Sequence, residues 1–170
     1  MTRIAPTHDP LTGVTRLVVD ATNLLYALTR GPDRQPPAAL IGRIRAAIPA
    51  ATRIELVFDG PPQHGLANSR IAQGLTVRYA GRLSADAVIH SIVEAAAREM
   101  GPAAIDAILV VTDDRELRGA ATRQGARTAG SSWLIRRMDR PRLASPSVGN
   151  RRPPHVQQPP PRDEPQRRRH

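Results

Sequence analysis

The chain has no cysteine, no lysine and only four aromatic residues, Tyr26, Phe58, Tyr79 and Trp133, among its 170 positions. Without cysteine there are no disulfides, zinc–thiolate centres or thiol nucleophiles. So few rings argue against a base-stacking platform of the kind single-strand-binding proteins build. No apolar run approaches the roughly 20 residues that span a bilayer. Residues 1–13 are polar, carry Pro6 and Pro10, and lack the apolar stretch of a signal peptide. A soluble cytoplasmic protein with no membrane partner is the expectation. There is also no Gly-rich phosphate loop, and no local Ser–His–Asp arrangement for nucleophilic catalysis.

With lysine absent, all 25 basic residues are arginine, and the net charge is +10. A GC-rich codon bias accounts for arginine, alanine and proline rising together. The physical consequence is the same whatever its origin. A strongly positive chain attracts polyanions, and the planar guanidinium grips phosphate through two parallel hydrogen bonds. Residues 140–170 hold eight of the arginines and eight of the 17 prolines, against only Asp163 and Glu164 as acids. Such a segment cannot bury a core, so a disordered basic tail is expected there. Its arginines would add salt-sensitive, sequence-blind affinity for nucleic acid. The chain thus divides into an extension (1–13), a folded domain (14–139) and a tail (140–170).

Within the domain, short β-branched runs alternate with helical spacing. Residues 14–20, 53–58, 75–80 and 106–112 read as strands, with 127–129 as a short edge strand. Helices are predicted from Thr22 as N-cap to about Thr29, over Pro36–Ile48, from the Ser84 cap to Met100, from Asp113 or Asp114 to Gln124, and over a last turn or two at Trp133–Met138. Gly60 to Gly65 reads as a loop. Strand and helix alternating in this way predict a three-layer α/β fold with a largely parallel sheet.

Three of those strands end on acid: Asp20, Asp59 and the pair Asp113-Asp114. Ligands of open parallel sheets bind beyond the carboxyl ends of the strands. A fourth acid, Asp86, opens the Ser84 helix on the border of its apolar face. Each taken alone has an ordinary explanation as a cap or turn residue. Together they gather on one rim, where like charges repel unless a cation sits between them. Hard oxygen donors of this kind suit Mg²⁺ or Mn²⁺, which can activate water for attack on a phosphodiester. The acidic rim and the basic chain then make joint sense, one holding metal and the other the nucleic-acid backbone.

The same residues resemble known motifs. Asp20-Ala21-Thr22-Asn23 resembles the opening D-x-x-N motif of the NYN domain family, within the PIN-like ribonucleases. Ser84-Ala85-Asp86 resembles its second motif, and Thr112-Asp113-Asp114 its strand-end motif; order and spacing look most like the YacP-like branch. The resemblance covers roughly residues 14–138. It implies a PIN-like fold and a Mg²⁺- or Mn²⁺-dependent endoribonuclease, with RNA, free or ribosome-associated, as the partner. It implies Asp20, Asp86 and Asp114 as metal-binding acids, with Asn23 orienting a ligand or water. Asp113 is an additional candidate ligand, Thr112 a positioning residue and Asp59 a further rim acid. Ala21 and Thr22 stand where the family carries glycine and an aromatic, a departure that bears on substrate contacts near this motif.

Arg82, Arg115 and Arg118 are candidate RNA contacts beside the acidic motifs, with Arg78 a fourth. His90, four residues after Asp86, and His64, in the Pro/Gly loop, are weaker candidates for proton transfer than for surface residues. Two alternatives remain open on sequence. One is a non-catalytic RNA-binding module of the same fold, attached to ribosomes or to RNA processing. The other is a small phosphatase or phosphotransfer protein, which the missing lysine disfavours.

Overall fold

The computed structural model describes residues 9–29, 37–62 and 69–140. In chain order the elements are β1 (Arg16–Asp20), α1 (Ala21–Leu28), α2 (Pro37–Ala47), β2 (Arg53–Phe58), β3 (Ser69–Ala72), β4 (Leu75–Tyr79), α3 (Ala85–Met100), α4 (Pro102–Ile105), β5 (Ile108–Val111), α5 (Arg115–Arg123), β6 (Arg127–Ala129) and α6 (Ser131–Met138). They form one six-stranded sheet in the order β3-β4-β2-β1-β5-β6. All neighbours pair in parallel except β3, which runs antiparallel to β4 at the edge.

The three-layer α/β expectation holds. Side chains alternate across β1, so Leu17 and Val19 join a core with α1, α2 and α6, while Val18 joins a second core with α3 and α5. Both faces of the central strands are covered, which is why they read as continuous apolar runs rather than alternating ones. On β2 the exception is Glu55, a buried carboxylate. It is ion-paired to Arg16 and Arg78, and accepts a 2.8 Å hydrogen bond from the Nε of each. The pairing offsets the cost of leaving water, and it occupies Arg78 away from the acidic rim.

Two elements were not expected. β3 is short and polar, and it borders β4 on one side only, so it carries no core periodicity. Its turn into β4 uses Gly74 at φ 72°, a left-handed conformation that favours glycine. Gly101-Pro102 does end α3, but Pro102 then occupies the first turn of α4, where its missing N–H is harmless. The cap of α1 also differs from expectation. Asp20, rather than Thr22, is the N-cap, its side chain accepting from the backbone N–H of Asn23.

The α5–β6 turn is tightly built. Gly125 has φ +95°, and a Cβ there would lie 2.5 Å from Cγ2 of Ile105. Gly125→Ala is therefore expected to destabilise the fold by about 1–3 kcal/mol, from backbone strain and the clash. Urea unfolding checks this; an unshifted midpoint would count against it. Residues 1–8, 30–36, 63–68 and 141–170 lie outside the described residues, and with them His64 and the expected disorder of the tail. Among the described residues no helix is long and apolar enough to cross a membrane.

Candidate functional site

The sheet changes its direction of winding between β1 and β5. From β1 the chain proceeds through α1 on one face to β2; from β5 it proceeds through α5 on the other face to β6. Helices departing on opposite faces leave a crevice at the carboxyl ends of the two strands. A cleft of about 300 Å³ opens on this rim, lined by Asp20, Thr22, Asn23, Tyr26, Asp59, Asp86 and Asp114. Four acids widely separated in sequence thus meet where the strand-end reading placed them.

Thr112 organises the strand-end part of this rim. The β1–β5 register pairs Val19 with Val111, so the next residues, Asp20 and Thr112, come side by side. Thr112 is fully buried. Its hydroxyl donates to Asp20 Oδ2 at 3.2 Å and accepts from Asn23 Nδ2 at 3.4 Å and from the Asp114 N–H at 3.1 Å. Asp20 Oδ1 accepts from the Asn23 N–H at 3.0 Å. Three residues of two motifs are locked to one oxygen atom.

The other carboxylates are positioned by capping. Asp114 Oδ1 accepts from the Leu117 N–H at 2.8 Å and caps α5. Asp59 Oδ1 accepts from the Ala85 N–H at 2.7 Å, tying the end of β2 to the start of α3, and its own N–H donates to Thr22 Oγ1 at 2.8 Å. Asp86 lies in the first turn of α3 after the Ser84 cap. Capping and site formation are therefore not rival explanations for these acids; the same oxygen geometry serves both.

Electrostatics reflect the crowding. Burial raises the Asp20 carboxyl above the usual carboxylate range, against the opposing hydrogen bonds of Asn23 and Thr112 and with a contribution from Asp59. Burial also raises Asp86, followed by the charges of Asp114, Asp20, Asp59 and Glu116. Asp20 and Asp86 thus each carry repulsion from neighbouring acids of the rim.

The donor set is hard oxygen bearing mutually repelling charge, which fits Mg²⁺ or Mn²⁺. Asp20, Asp86 and Asp114 would hold such an ion, with Asp59 beside them. Among the described residues, however, no three acidic or histidine side chains already form a metal-ligating cluster. One oxygen each of Asp20, Asp59 and Asp114 is committed to a backbone N–H, and like charges oppose closer approach.

The structure does not bring Asp113 to the cleft. Its Oδ1 accepts from the Ser131 N–H at 2.9 Å, at the start of α6. His90 is exposed on α3, where its Nε2 lies 3.1 Å from Gln124 Nε2 on the neighbouring helix. Arg82, in the β4–α3 loop, and Arg115 and Arg118, on the opening turns of α5, are exposed on the same rim but do not line the cleft. Sequence reasoning gave Tyr26 no role and Thr22 only a cap. Their spacing from Asn23 and from each other along α1 was the available signal.

The profile of one family, the YacP-like NYN domain, matches residues 45–157, well over half of the chain. The chain belongs to this family. The match takes in Asp59, Asp86, Thr112 and Asp114 of the NYN domain and begins after Asp20 and Asn23. Two crystal structures of Rae1 (YacP) from Bacillus subtilis share its fold. One has a TM-score of 0.54 at 22% identity, covering 72% of each chain. The other, a single-residue variant, has a TM-score of 0.53 at 21% identity, covering 74% of this chain and 75% of that one. At such identity the likeness is one of fold. Comparison with curated proteins finds no significant match.

Proposed function

We propose that this NYN domain is a metal-dependent endoribonuclease that hydrolyses RNA phosphodiester bonds at the β1–β5 cleft. One observation carries the reading: Asp20, Asp59, Asp86 and Asp114 line a single cleft in a chain of net charge +10. Membership of the YacP-like NYN family supports it. A bound Mg²⁺ or Mn²⁺ would supply a counter-charge for the phosphodiester and lower the pKa of water. The protein's own part is positional. Thr112 fixes Asp20 Oδ2 and the start of the Asp114 loop, Asn23 braces Thr112 through its side-chain amide, and Asp86 completes the anionic lining. Arg82, Arg115 and Arg118 on the surrounding rim would hold the RNA backbone.

A second reading, RNA binding without cleavage, is favoured by the commitment of one oxygen each of Asp20, Asp59 and Asp114 to a backbone N–H. One experiment separates the two. Wild type and Asp114→Asn are incubated with single-stranded and structured RNA in Mn²⁺, in Mg²⁺ and in chelator. Outer-shell substitutions at metal sites typically cost about 10–100-fold, so loss of a direct ligand should cost at least that much. Cleavage should disappear in chelator and fall by about 100-fold or more in the variant. Equal cutting by both proteins would sink the assigned site. RNA binding with no cutting and no metal uptake would establish the second reading.

A further inference from the structure

Tyr26 is the one aromatic residue placed at the cleft. It is 65% exposed, in a chain whose other three rings pack partly or fully into the fold. It follows Asn23 by three positions and Thr22 by four on α1, a spacing that puts all three on one helix face. All three also line the cleft. A second large apolar side chain, Leu83, is 63% exposed in the loop between β4 and α3, on the same rim and next to Arg82. Of the three exposed large hydrophobics among the described residues, two therefore border the acidic end of the sheet, and only Ile71 lies on the edge strand. Single exposed apolar side chains are ordinary on a protein surface; what sets Tyr26 apart is its place in the lining of the acidic cleft.

We propose that Tyr26 is a substrate-binding residue that stacks on one unpaired nucleobase of RNA lying across the cleft. This rests on the reading of the cleft as an RNA site and names its substrate form as single-stranded. The chemistry is divided by residue. The rim arginines bind phosphates without regard to pairing, whereas a tyrosine face can receive a base only when that base has left its partner. Because any base offers a π-face, the contact selects for strand state and not for sequence. The scarcity of aromatics excludes an extended platform, but a single ring beside the acids is enough to hold one nucleotide against them.

The test uses Tyr26→Ala and Tyr26→Phe in the full-length chain, in wild-type and Asp114→Asn backgrounds, with Mg²⁺. Short single-stranded RNAs carry 2-aminopurine at each position in turn. In the Asp114→Asn background, binding should quench the probe at one position. Tyr26→Phe should keep this quenching, and Tyr26→Ala should remove it while weakening binding by about 5- to 150-fold. In the cleaving background Tyr26→Ala should raise KM with little change in kcat, and a fully paired RNA should show no dependence on Tyr26. Tyr26-dependent quenching without cleavage by the wild type would support the stacking contact while removing the nuclease reading. Cleavage with quenching and KM unaffected by Tyr26→Ala, or equal dependence on Tyr26 for duplex and single strand, would overturn the stacking contact and leave the nuclease reading intact.

Discussion

Asp86→Asn is expected to abolish RNA cleavage while raising the melting temperature of the metal-free protein. The first effect follows from the loss of a charged cleft-lining oxygen and should exceed about 100-fold, as argued for a direct ligand. The second follows from electrostatics. Asp86 is held above the usual carboxylate range by burial and by the charges of Asp114, Asp20, Asp59 and Glu116. A folded-state pKa above the unfolded value means that the native protein binds the proton more tightly. Stability is then full at pH below the ordinary carboxylate range and falls as pH rises through the raised value. At neutral pH the ionised side chain is a burden on the fold, and asparagine removes its charge at similar volume. A gain of a few degrees in Tm at pH 7 is expected, shrinking as the pH is lowered toward the ordinary carboxylate range. Added Mg²⁺ should raise the Tm of the wild type by mass action and raise that of the variant less. Calorimetry across pH reads both. A lower Tm for the variant at pH 7 would contradict the clustered-charge account.

Thr112→Val should do harm in both respects. It removes the hydroxyl that satisfies Asp20 Oδ2 and accepts from Asn23 and the Asp114 N–H. In a fully buried position no water replaces it at low cost, so a loss of about 1–3 kcal/mol is expected. Cleavage should fall by about 10–100-fold, the range for residues that orient ligands from behind. Thr112→Ser is the control, because it keeps the hydroxyl and loses only a methyl group. If serine fails to restore activity while the fold is intact, Thr112 acts through packing and not through its oxygen.

The parallel strands and the two amphipathic helices α3 and α5 were legible because burial on both faces, or on one face, leaves its period in the sequence. The edge strand β3 left none, since Ser69 to Ala72 borders a single neighbour. Asp20 and Thr22 both suit the cap of α1 by residue type, and only the geometry shows Asp20 in that role and Thr22 turned to the Asp59 N–H. The sequence already favoured Asp114 over Asp113, and the fold places Asp114 and not Asp113 in the cleft lining. Asp113 and Asp114 are adjacent in sequence and face different helices, α6 and α5, because the chain leaves the pleat at Thr112. The role of Thr112 itself depends on strand register, which no local pattern reports. Tyr26 carries no hydrophobic-core periodicity, and only its three-residue spacing from Asn23 on α1 ties it to the site.

The bond between Thr112 and Asp20 spans 92 positions of the chain. A contact of such sequence separation closes late, since a long loop must be ordered before the contact can form. As the polypeptide is made, Asp20 and then Asp59 emerge long before β5 exists to stand beside β1. A growing chain therefore carries Asp20, Asp59 and Asp86, three of its four cleft acids, before Asp114 and its strand exist, and the cleft comes into being only when β5 is added beside β1.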